Sequence, residues 1–143
     1  MIFNLFKKKQ AIPQTSTQNT KSVDYLIVIK ADEIAEMDEP PFNIGKWGDE
    51  KKYKSLLIEM QPLFDEYRRN GTLDSPFPIN GTNEEISIYK QKQKCISLFI
   101  SSYIQTVKTK DQKYKIASDG RHRMYVAKKY SLDILVHVAA EEI

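Results

Sequence analysis

Cysteine is nearly absent: the chain has one, Cys95, in 143 residues. An intramolecular disulfide is thereby excluded, which fits a reducing compartment and makes a cytoplasmic protein the expectation. Histidine is almost as scarce, and no Cys/His spacing matches a zinc site, so no protein-held metal is expected. Long apolar runs are missing as well. Met1 to Phe6 is apolar but far too short for a bilayer span or a signal core, and its lysines follow it instead of preceding it. No membrane span is expected. Neither repeats nor heptads occur, which removes solenoid and coiled-coil architectures. An excess of one charge is also lacking: the formal net charge is +3, too small to mark a nucleic-acid binder.

Charge is instead unevenly placed. Residues 1–22 hold four lysines and no acid, residues 23–50 hold eight acids against two lysines, and residues 108–130 hold eight basic residues against two acids. The last stretch would draw an anion through its local field. A length of 143 residues suits one domain, and 41% hydrophobic with 29% charged residues is ordinary for a soluble protein.

Residues 1–22 read as a disordered leader, since Gln10 to Ser22 is rich in Gln, Thr, Ser and Asn; residues 23–143 then form a single domain. Tyr25–Ile29 is a buried strand, followed by a turn or helical turn over Lys30–Ile34. Glu36 to Gly48 is a loop, punctuated by Pro40, Pro41, Gly45 and Gly48. Asp49 caps a helix running to about Asn70, with an apolar stripe at Tyr53, Leu56, Leu57, Met60, Leu63, Phe64 and Tyr67. Pro62 should kink or break it. Glu85–Tyr89 alternates like a strand. Cys95 to Val107 matches both a helical face and strand alternation, and its length favours helix. Tyr114–Ser118 is a strand, Arg121–Tyr130 a helix burying Met124 and Ala127, and Asp133–Val138 a final strand in which His137 is a packing or edge residue.

The chemistry concentrates where the third-last of these elements meets the helix, at Asp119-Gly120-Arg121-His122-Arg123. A helix start exposes unpaired N–H groups and partial positive charge. Gly120 lets the backbone turn sharply and a ligand come close. Asp119 can cap the helix, and Arg123, expected near the surface, offers a planar fork that matches phosphate oxygens. His122 can donate a hydrogen bond or take a proton.

Strand, Gly-x-x-Arg, helix and short strand, here Ile116 to Val138, resemble the closing part of the ParB/sulfiredoxin-like superfamily (ParB N-terminal-like domain). The strand before Lys30–Ile34 resembles the family's opening, and the helix 49–70 takes the place of its next element. The resemblance implies an α+β fold, a small mixed sheet with packed helices. It implies a nucleotide, ATP or CTP, or another phosphate-bearing ligand, held by Asp119, Gly120, Arg121, His122 and Arg123. Partition proteins of this type carry Gly-Glu-Arg-Arg at the turn, and sulfiredoxins Gly-Cys-His-Arg. Arg121 stands where the reactive cysteine would be, so sulfinic acid reduction is not expected. The superfamily's kinases for small hydroxyl substrates place a carboxylate shortly after the first strand. Glu36, Asp38 and Glu39 lie in that stretch, and with His122 are the candidate proton acceptors for phosphotransfer, with Mg2+ on the nucleotide. Two other readings compete. One is a DNA-associated module, as in nuclease-type members, using Lys108, Lys110, Lys113, Lys115, Lys128 and Lys129. The other is a protein-interaction domain without ligand, contacting partners through Phe42 and Trp47.

Overall fold

The computed structural model describes residues 19–43 and 48–143. The expectations for residues 1–18, and for Gly45 and Trp47, lie outside these residues. In chain order the elements are β1 (Thr20–Ile29), a 3-10 turn (Ala31–Glu33), α1 (Glu50–Asn70), α2 (Asn83–Cys95) with a π-helical extension (Ile96–Ser101), β2 (Gln105–Lys108), β3 (Tyr114–Ile116), α3 (Arg121–Lys129) and β4 (Ile134–Glu142). The strands form one sheet in the order β1-β4-β2-β3. β4 runs antiparallel to β1 and parallel to β2, and β2 is antiparallel to β3. The result is an α+β domain, a small mixed sheet with three packed helices, which is the expected fold class.

The sequence explains most of these elements locally. Asp49 accepts a hydrogen bond from the Lys51 amide at 3.1 Å and so caps α1. Gly71, at φ 73°, closes the same helix in the left-handed conformation that glycine adopts without a Cβ penalty. Between these ends Leu56, Leu57, Met60, Leu63 and Phe64 are buried. Phe64 meets Phe99 edge-to-face at 5.0 Å, which carries the stripe into the core. Met124, Val126 and Ala127 of α3 and Ile134, Leu135, Val136 and Val138 of β4 belong to the same buried core.

Four local expectations are corrected. First, Thr20, Lys21 and Ser22 pair with Glu142, Glu141 and Ala140, so order begins before Val23; polar residues join a strand when a partner strand supplies their backbone hydrogen bonds. Second, Pro62 does not break α1, which runs on to Asn70. The donor that Pro62 lacks would have reached the Ile58 carbonyl, and both residues are exposed, so water can serve that oxygen. Third, Glu85–Tyr89 is helix. The Thr82 hydroxyl accepts from the Glu85 amide at 3.1 Å while the Glu85 carboxylate accepts from the Thr82 amide at 2.8 Å. This capping box satisfies two helix-start donors and outweighs a short apolar alternation. Fourth, the helix favoured over Cys95–Val107 stops at Ser101, and Gln105–Lys108 is strand β2. There Ile104 and Thr106 are both buried, and the Thr106 hydroxyl donates to the His137 carbonyl at 2.9 Å. His137 itself lies on interior strand β4, so it is a packing residue and not an edge one.

Candidate functional site

The turn from β3 into α3 is built around Gly120. Its φ of 108° is one that L side chains rarely adopt. A Cβ placed there would lie 2.7 Å from Ile104 Cγ2 and 2.8 Å from Cγ1. Ile104 is fully buried, and its carbonyl accepts from the His137 amide at 2.8 Å, so it cannot easily retreat. Glycine is thus required twice over, by backbone angle and by contact.

Gly120 is itself the N-cap of α3, and no side chain caps the helix. The expectation that Asp119 does so is corrected: Asp119 lies one residue outside the helix and is exposed. The first intrahelical bond is from the Met124 amide to the Gly120 carbonyl at 3.0 Å. The amides of Arg121, His122 and Arg123 therefore precede the helical ladder, and among the described residues none has a partner. Arg121 is exposed and forms no ion pair or hydrogen bond with any described residue.

The other two basic residues of the motif are already engaged. His122 Nε2 lies 2.7 Å from the Pro41 carbonyl oxygen. A carbonyl only accepts, so Nε2 carries the hydrogen, and Nδ1 is where the ring would take a proton. The imidazole stacks on Tyr53 at 5.6 Å with 10° between planes and meets Phe42 edge-on at 5.1 Å. Arg123 was expected near the surface with its fork free. Instead it is half-buried, and Nη1 donates to the Leu98 carbonyl at 2.6 Å and the Ser102 carbonyl at 3.2 Å. Its guanidinium lies 5.5 Å from the Phe99 ring centre. These carbonyls belong to the end of the π-helical extension, where no further turn supplies donors. Burial holds the Arg123 guanidinium below its ordinary pKa, with the nearby Tyr53 and Asp119 acting the other way.

The acidic loop runs beside α3, bringing two regions together that are far apart in sequence. Glu39 accepts from the Tyr125 hydroxyl at 3.3 Å, and Tyr125 shares a helix face with Arg121 four residues earlier. Glu36 lies 3.8 Å from Lys128, which is about 10 Å along the helix axis from Arg121. Glu36 is therefore remote from the uncapped amides. Asp38 is exposed on the same loop. Phe42, expected as a contact surface, is turned inward against Tyr53 and His122. Among the described residues no group of three or more His, Cys, Asp or Glu side chains could hold a metal ion.

The lysines nominated for DNA are largely engaged within the domain. Lys115 pairs with Glu142 at 3.0 Å and Lys129 with Glu50 at 2.8 Å. Lys128 donates to the Ile34 carbonyl at 2.8 Å, and Lys113 to that of Asp32. Sequence reasoning did not anticipate the carbonyls of Pro41, Leu98 and Ser102 as partners, because a backbone oxygen leaves no sequence signal. Tyr53 was visible only as part of the core stripe.

The fold and this corner define an α+β domain whose last helix opens without a side-chain cap. No family model, no curated protein and no solved structure matches the chain. Among the described residues no helix is long and apolar enough to cross a membrane.

Proposed function

We propose that the domain binds a phosphate-bearing ligand, with a nucleotide such as ATP or CTP as the leading class, at the start of α3. The observation that carries this reading is the uncapped helix start beside an arginine that has no partner among the described residues. Partnerless amides of Arg121, His122 and Arg123 point along a helix dipole, and Arg121 adds a full positive charge next to them. The likeness of the Gly-x-x-Arg turn to the ParB/sulfiredoxin-like superfamily supports the same ligand class. In this reading Arg121 contacts the phosphate directly and Arg123 is a positioning residue that pins α3 to the end of the π-helical extension. Mg2+ would arrive on the nucleotide's phosphates, with Asp119 the carboxylate beside the turn. If phosphate is transferred, His122 Nδ1 and Glu39 are better placed to accept a proton than Glu36, given the distance of Lys128 from the helix start.

Titration of the 15N-labelled protein with inorganic phosphate, ATP and CTP, with and without Mg2+, tests the proposal. Saturable amide shifts at residues 120–123, abolished in Arg121→Ala, are expected. Absence of shifts at these amides with all three ligands overturns it.

A further inference from the structure

A second surface, away from α3, carries its own signal. Two clefts open between α1 and α2 and meet at the Lys94–Glu59 ion pair, whose N–O separation is 3.1 Å. The first, about 330 Å³, has Leu56 in its wall together with the stems of Lys51, Lys52 and Lys94. The second, about 220 Å³, is lined by Ser87, Lys90 and Gln91 as well as the shared pair.

Two features describe what would fit. The Lys51 and Lys90 ammonium groups have no ion-pair or hydrogen-bond partner among the described residues, so these two charges at the rim are open to an anion, whereas Lys94 and Glu59 are paired with each other. The first cleft is walled mainly by hydrocarbon, Leu56 and the lysine methylenes, so it suits an apolar side chain under a charged rim. We infer that this groove docks an acidic protein segment that also carries an apolar residue. Its carboxylates would meet Lys51 and Lys90, and its apolar side chain would enter the first cleft beside Leu56. A nucleic-acid backbone answers the charge but offers no apolar side chain for the first cleft.

Panning short random peptides against the full chain tests this inference. Enriched peptides should be acidic and contain an aliphatic or aromatic residue. They should lose about tenfold or more in affinity for the Lys51→Glu/Lys90→Glu double variant, by like-charge repulsion. Arg121→Glu should leave their affinity unchanged, which separates this groove from the α3 site. Both lysine positions are exposed, and a thermal melt of the double variant verifies that it folds. Enrichment without acidic bias, or binding indifferent to the double variant, overturns the inference. So does a short DNA duplex that binds in preference to the selected peptides and loses that binding in the double variant, because the groove is then a phosphodiester surface. Loss of phosphate binding at α3 alone leaves the groove standing.

Discussion

The three helices begin in two different ways. α1 and α2 each start on a polar side chain that satisfies their own first amides, Asp49 in one case and the Thr82–Glu85 pair in the other. Both also place acid in the first turn. α3 starts on Gly120, with no side-chain cap, no acid in its first turn and Arg121 at its first position. A helix start of the first kind is complete in itself. One of the second kind leaves donors and positive charge unanswered, and so has capacity for an anion from outside. The difference is one of sequence, a few residues long, yet it separates a structural helix end from a candidate binding site.

Breaking the Gly120 turn should have the largest effect. Gly120→Val meets both the positive φ and the Ile104 contact, and a loss of about 3 kcal/mol or more in urea unfolding is expected. Arg123→Ala should come next. It strips the donor from two backbone carbonyls and removes a cation from the Phe99 face, and about 2 kcal/mol should be lost in the same assay. Unchanged stability there would return Arg123 to the surface role first read from the sequence. Removing the caps of the complete helix starts, by Asp49→Ala or Thr82→Ala, should cost about 1 kcal/mol each.

Glu50 sharpens the contrast through pH. The Lys129 ammonium, and after it the Tyr130 hydroxyl, hold the Glu50 carboxyl below its usual value of 4.5. Because the folded-state pKa is the lower one, the stability this group contributes is present above about pH 4.5 and is lost as pH falls through the depressed value. Glu50→Gln should flatten that acid limb of a stability-against-pH curve; an unaltered limb would mean that Glu50 does not titrate as described. The smallest change in stability should come from Arg121→Glu. An acid at the start of α3 interacts favourably with the helix dipole, so stability should rise by about 0.5 kcal/mol while phosphate binding disappears. A fall in stability would show that the uncapped start is compensated by groups other than a ligand.

Elements closed by their own neighbours were legible in the sequence. Asp49 and Gly71 bound α1, its apolar residues recur at three and four, and Asp119-Gly120 breaks the chain before α3. Some misreadings fell where a distant partner decides the outcome. β2 exists because β4 and β3 flank it, and a four-residue segment with mixed periodicity cannot announce that. Another was local: over Glu85–Tyr89 a short apolar alternation is outweighed by the capping box that begins three residues upstream. At the site, the motif residues were found but their division of labour was not. Arg121 and Arg123 are alike as letters, and only the end of the π-helical extension, packed beside α3, distinguishes the free guanidinium from the engaged one.

Sequence alone determined β1, α1, α3 and β4, their apolar faces and the position of the glycine turn, because these follow from side-chain periodicity and from backbone angles a few residues wide. Tertiary structure decided which charges are spent. The acidic loop, the π-helical extension and the far end of β4 each neutralise or engage particular basic groups, and electrostatic pairing depends on distance in space, which the order of residues along the chain does not contain.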